Sequence, residues 1–184
     1  VRTVTAADLG IGLDEPEPWQ ADGLVTDIPG VTLAVYSADC LPILLYDPVR
    51  RVVGAVHAGW RGTALGIAAK TIAAMERLYG AKAEHIRAAI GPGIGACCFE
   101  VGPEVVAAAE ALLHEPLGAL VRPRADGKAL LDLKGVNARR LAQLGIPAEQ
   151  IAVSDACTMC RPDVFWSHRA TDGRRGVQAA VITL

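Results

Sequence analysis

The sequence predicts a single-domain α+β (mixed α/β) fold in which mixed β-sheets are flanked by helices. Three observations carry that expectation. Short apolar runs of strand length are bounded by turn residues, other segments repeat their apolar residues every three or four positions, and the two kinds intermix without the strict alternation of a Rossmann fold. A chain of 184 residues suits one domain with a substantial core and is short for two.

The opening VRTVTAAD reads as a strand running into a loop. VTLAVY (31 to 36), PILLYD (42 to 47) and RRVVGAVHAG (50 to 59) read as three buried strands, the last two joined by a turn at Pro48, Arg50 and Arg51. After His57 the period changes: Leu65, Ala68, Ile72, Met75 and Tyr79 form one helical face, with Thr63 as N-cap and Gly80 as stop. IRAAIG (86 to 91) is the next strand, followed by the loop GPGIGACCFEVG and a helix from Pro103 to Leu113, whose proline suits the first helical turn. Asp126-Gly127 marks a hairpin turn, and Lys134 to Leu144 a helix closed by Gly145. IAVSD, DVFWSH and GVQAAVITL are expected to supply three later strands.

Composition narrows the function. No apolar run approaches the ~20 residues that a spanning helix needs, so no membrane role is expected. Eighteen Lys and Arg face twenty Asp and Glu, and the cations are scattered, so no nucleic-acid partner is expected. Five cysteines, two of them adjacent, in a chain without a secretory apolar stretch point to a reducing, cytoplasmic compartment. Because the chain opens on Val1 without a methionine, an N-terminal portion is expected to precede it.

The residues suited to chemistry gather at strand ends. Cys40 closes YSADC and His57 closes GAVHAG on a neighbouring strand, which would bring a thiol and an imidazole together for metal binding or nucleophilic chemistry. A buried cysteine and a core histidine fit those two positions equally well. Asp39 tips the balance, because a carboxylate at a strand end is costly to bury without a partner or a task, which would be orienting a ligand or carrying a proton. Arg61, four residues after His57 at a helix start, would hold a phosphate or carboxylate or is simply a surface arginine there, and Trp60 is a pocket wall or a core anchor. Ser167, His168 and Arg169 end the segment FWSHR, where they would line a pocket, whereas His85 and His114 read as solvated. The glycine-rich loop lacks the residues of a P-loop and the spacing of a dinucleotide fingerprint, so it reads as a close turn beside the site with Cys97 and Cys98 partly buried. Cys157 and Cys160 form a CxxC, but with no second CxxC it reads as structural, not as a zinc or redox centre.

In order, ADCLPILLYD, VHAGWRGT, IGPGIGACCFEVG, LDLKGVNARRLAQLGI and CTMCRPDVFWSHR resemble the laccase-domain family of the YfiH/YlmD type, described as purine nucleoside phosphorylases and formerly as polyphenol oxidases. The match runs from about Ala21 to the C-terminus. The resemblance implies a fold like that of the cytotoxic necrotizing factor catalytic domains. It also implies a zinc-dependent enzyme that cleaves adenosine, inosine, guanosine or methylthioadenosine with phosphate, with adenosine deamination as a further activity.

The family's metal ligands are a His from a QVHG element, the Cys of ADC and the His of HAGWRG. The last two fall on Cys40 and His57, and the first is absent here and expected upstream of Val1. On this reading Asp39 handles a proton, and Arg61, Ser167 and Arg169 bind substrate or phosphate. Zinc is expected over copper, because a copper oxidase needs more histidine ligands than four scattered ones provide. Two other readings stand beside it: a metal-free hydrolase or amidase with Cys40 as nucleophile and His57 as base, and a fragment without activity. The oligomeric state is left open.

Overall fold

The computed structural model describes residues 1–8 and 20–184, and its first paired segments are β1 (Arg2–Thr3) and β2 (Gly23–Thr26). The three early apolar runs become β3 (Thr32–Ser37), β4 (Leu41–Asp47) and β5 (Val52–Ala58). Asp47 shapes the β4–β5 turn by accepting the amides of Val49 and Arg50 at 2.8 and 3.0 Å. Two helices follow, α1 (Trp60–Ala64) and α2 (Ile67–Tyr79), then β6 (Arg87–Ile90), β7 (Glu100–Val101) and α3 (Pro103–Leu113). The Asp-Gly turn joins β8 (Val121–Pro123) to β9 (Ala129–Leu131). The chain ends with α4 (Leu133–Gln143), β10 (Ile151–Val153) and β11 (Gln178–Thr183).

The main sheet has six strands in the order β1-β2-β5-β4-β6-β10. Its two outer pairs are parallel and the inner ones antiparallel. β11 pairs antiparallel with β3 as a separate ribbon, and β7, β9 and β8 form a small third sheet. The architecture is the mixed α+β fold expected.

Side chains alternate across the main sheet, and both of its faces are covered. Leu41, Ile43, Leu45, Val52 and Val56 pack with Ile72 and Met75 of α2, Leu113 of α3 and Leu141 of α4. Their neighbours Leu24, Val53 and Ala55 point the other way, against Leu33 and Val35 of the ribbon. Coverage on both faces is why these strands read as continuous apolar runs and not as alternating ones. Burial of such side chains contributes roughly 1.5–3 kcal/mol each. The helix ends follow their local chemistry: Gly80 closes α2 at φ 68°, and the Asp132 side chain caps α4 by accepting the Gly135 amide at 2.9 Å.

Three expectations are corrected. The helix after His57 is two helices, because Gly66 takes φ 71° and breaks the ladder. Thr63 therefore lies inside α1, buried, where its hydroxyl accepts from Asn137 Nδ2 at 3.0 Å, and Leu65 at the break is 70% exposed. DVFWSH is a run of turns, not a strand: the Val164 and Phe165 amides fold back onto the Arg161 carbonyl, and the Gln178 side chain takes both backbone groups of Trp166. Cys97 is exposed, not partly buried. Among the described residues no helix is long and apolar enough to cross a membrane.

Candidate active site

The β4–β5 hairpin brings the chemistry together. Its register sets Pro42 opposite His57 and Leu41 opposite Ala58, so Cys40, immediately before β4, emerges at the end of the sheet where β5 delivers His57. Glycine at position 59 leaves room for the thiol, since a Cβ there would stand 3.0 Å from Cys40 Sγ. On the other side of His57, β2 runs antiparallel to β5 with Gly23 opposite Val56, which places Asp22 beside the imidazole. The His57 amide donates to the Asp22 carbonyl at 2.8 Å, and His57 Nδ1 lies 2.9 Å from Asp22 Oδ1. The hydrogen bond with Cys40 first, and then Asp22, raise the His57 pKa to about 9 against the opposing pull of burial. Sequence reasoning missed Asp22. The available signal was its place at the mouth of a strand beside the one that carries His57.

Three cavities meet at this point. One of about 480 Å³ is lined by Tyr36, Cys40, His57, Ile94 and Phe99, with His168, Arg169 and Arg175 as its basic groups. One of about 250 Å³ lies between Asp22, Cys40, His57, Trp60 and Arg61. A third, about 200 Å³, opens beyond Asp22 and Tyr36. Trp60 combines both roles considered for it: it packs against the core, and its ring carries the Arg61 guanidinium 4.3 Å from the centroid.

The remaining predicted residues stand as follows. Asp39 is buried at φ 81°, a backbone region that favours Gly, Asn and Asp. Both its carboxylate oxygens are engaged: Oδ1 accepts the Thr158 hydroxyl at 2.6 Å and Oδ2 the Arg169 amide at 2.7 Å. Its carbonyl accepts the Ile94 amide at 2.9 Å. Asp39 thus ties the glycine-rich loop and the 158 and 169 segments to the base of Cys40. Arg169 lies over Phe99, with its centre 5.9 Å from the ring centroid, donates from both terminal nitrogens to the Glu100 carbonyl at 3.2 Å, and lines the larger cavity. Ser167 is buried, its Oγ accepting the Ala170 amide at 3.1 Å, so it shapes the turn that presents Arg169. His85 sits beside Glu84 and His114 ends α3 at φ 56°, both away from these cavities.

Cys40 and His57 form a sulfur and nitrogen donor pair, with the other nitrogen of His57 on a carboxylate. That is the supporting arrangement typical of a metal-bound histidine. A sulfur and a nitrogen donor set of this kind suits a transition-metal ion, which Cys40 and His57 would hold from this chain.

The family model described as multi-copper polyphenol oxidoreductase laccase matches residues 1–184. The chain belongs to this laccase-like family. Among its curated members, the purine nucleoside phosphorylase YlmD of Geobacillus stearothermophilus is 38% identical over 184 residues, covering 99% of this chain and 67% of YlmD. Adenosine deaminase RL5, from an unknown prokaryotic organism, is 42% identical over 148 residues, covering 80% of this chain and 56% of that protein. The chain thus spans only part of the length of these laccase-like relatives. The crystal structure of YlmD from Geobacillus stearothermophilus superposes with a TM-score of 0.91 at 39% identity, covering 98% of this chain and 68% of that one. The YfiH/YlmD-type fold expected from the motifs is therefore the fold of this laccase-like chain.

Asp22→Ala removes the carboxylate that orients His57, and any metal held by Cys40 and His57 is expected to bind about 10–100-fold more weakly in that variant. Competition with a chromophoric chelator measures the change, and unaltered metal affinity would separate Asp22 from the metal.

Proposed function

We propose that this chain carries the catalytic centre of a zinc-dependent purine nucleoside phosphorylase. The observation that carries the reading is the convergence of two cavities on Cys40 and His57, the larger combining apolar walls with Arg169 and Arg175 and the smaller faced by Arg61. The larger offers Ile94, Phe99 and Tyr36 to a purine base, and its 480 Å³ suits a small ligand. The smaller brings Arg61 toward the same point for phosphate. In phosphorolysis a phosphate oxygen attacks C1′ of the ribose, the C1′–N bond breaks, and its electron pair leaves with the base, which takes up a proton. Zinc on Cys40 and His57 would act as a Lewis acid for the charge that develops. Arg61 binds and orients phosphate, Arg169 holds the substrate within the larger cavity, and Asp39 keeps Cys40 and the surrounding loops in register. The names of the relatives support purine nucleosides, adenosine among them, as the substrate class, and adenosine deamination as a second reaction.

The deciding experiment supplies adenosine and inosine with and without inorganic phosphate and follows free base, ribose 1-phosphate and ammonia. Base and ribose 1-phosphate formed only with phosphate is the expected result; equal base release without phosphate refutes phosphorolysis. Arg61→Ala is expected to raise the KM for phosphate about 10–100-fold, the equivalent of one charge-assisted contact of roughly 1.5–3 kcal/mol.

The contact of His57 with both Cys40 and Asp22 favours one second reading, a metal-free hydrolase or amidase with a Cys–His–Asp triad. Activity that survives a strong chelator and is lost on alkylation of Cys40 would select it.

A further inference from the structure

Four of the five cysteines lie outside the site just described, and the fold brings them together. Cys97 and Cys98 sit in the glycine-rich loop, and Cys157 and Cys160 about sixty residues later. The four Sγ atoms all lie within 4.8 Å of one another. Cys160 Sγ is 3.4 Å from that of Cys98 and 3.6 Å from that of Cys97, too far for disulfides and close to the roughly 3.8 Å edge of a tetrahedron of sulfurs around zinc, given zinc–sulfur bonds of about 2.3 Å. Sulfurs this close enclose one ion and leave no room for a cluster of several metals.

The surroundings are built around those sulfurs. The Gly95 amide donates to Cys157 Sγ at 3.2 Å, and a Cβ on Gly95 would stand 3.2 Å from Cys157 Cβ and 3.3 Å from Cys97 Sγ. Backbone pairing between Gly93 and Cys157, with the Thr158 amide on the Gly93 carbonyl at 3.1 Å, holds the two segments side by side. Lys134 is 5% exposed and extends from α4 to the carbonyls of Ser154 and Ala156, at 2.9 and 2.7 Å. That places a buried ammonium next to the segment that enters the cluster, where it would offset the negative charge of metal-bound thiolates.

We propose that Cys97, Cys98, Cys157 and Cys160 hold a structural zinc ion, distinct from the Cys40–His57 centre. On binding, each thiol releases its proton to solvent, and no change of oxidation state is involved. The coordination is closed, with four protein ligands and no open position, as suits a stabilising site. Its effect on the fold is local and specific. The ion staples the loop that carries Ile94 and Phe99 to the segment that carries Thr158, and Thr158 holds Asp39 beside Cys40.

The test separates the two centres by removing the first. The chain with Cys40→Ala and His57→Ala, reduced, exposed to zinc chloride and desalted, is expected to retain about one zinc per chain by atomic emission. Cobalt(II) in its place should give intense thiolate-to-metal absorption with the pattern of a tetrahedral four-sulfur site. Adding Cys157→Ser and Cys160→Ser should lower bound metal at least tenfold and abolish that absorption. Because this last variant can lose its fold, Cys97→Ser, at an exposed position, serves as the second measurement, with an expected tenfold or greater loss of zinc affinity. The proposal is overturned if the reduced Cys40→Ala, His57→Ala chain binds neither metal. It is equally overturned if the cobalt spectrum lacks thiolate absorption, or if Cys97→Ser leaves affinity unchanged.

Discussion

Cys40→Ala is expected to abolish zinc binding at the Cys40–His57 centre and to lower nucleoside cleavage by more than the ~100-fold that loss of an outer-shell partner costs. On the proposed function the thiol is one of the two metal ligands that this chain brings to the meeting point of the cavities, and His57 alone, held by Asp22, would not fix an ion in place. The cost to folding should be small, because Cys40 is only partly buried and a methyl group fits beside Gly59. Metal analysis, turnover and thermal unfolding on one preparation check this together: zinc and activity fall while the midpoint holds. Turnover close to that of the unaltered chain would remove Cys40 from both the metal and the nucleophile readings.

The second large effect concerns Asp39. Asp39→Ala takes away a carboxylate that accepts two short hydrogen bonds and leaves the fully buried Thr158 hydroxyl and the Arg169 amide without their acceptor. Hydrogen bonds to a charged group contribute about 1.5–3 kcal/mol each, so a loss of roughly 3–6 kcal/mol is expected. At ~2–4 °C per kcal/mol for a chain of this size, that lowers the unfolding midpoint by about 6 °C or more. Asp39→Asn tolerates the same backbone conformation and retains one acceptor oxygen, so its loss should be about half or less. The same pair separates a positioning residue from a proton carrier. If Asp39 only positions, Asp39→Asn keeps turnover within about tenfold; if it carries a proton, kcat falls by ~10²–10⁴ at nearly unchanged stability.

Strands and helix ends were legible wherever local chemistry decides them. The apolar runs of β3, β4 and β5, Pro103 opening α3 and Gly80 closing α2 all stand where the residues indicate. Cys40 and His57 were legible because a hairpin with a short turn must bring the start of one strand beside the end of the next. Features that depend on distant pairing were hidden. Asp22 reaches His57 only through the register of β2 on β5, and the CxxC finds its partners in an adjacent pair of cysteines some sixty residues earlier. A search for a second CxxC passes over such a pair, because only the tertiary fold turns two unlike spacings into one cluster. DVFWSH misled for a related reason: its aromatic and β-branched residues suit a strand, but the backbone partners they meet are turns and the side chain of Gln178.

The β3–β11 ribbon has a consequence for the order in which the molecule assembles. Thr32 and Thr183, joined through their hydroxyls at 2.7 Å, are 151 positions apart, and the strand pair between them closes the longest loop in this topology. Contacts of such long range are slow to form, and in vectorial synthesis they cannot form until the distal strand has emerged. Tyr36 near the end of β3 and Val177 just before β11 both line the larger cavity, on neighbouring strands of this ribbon. This wall of the cavity is therefore expected to close late in folding, after the local β4–β5 hairpin that carries His57.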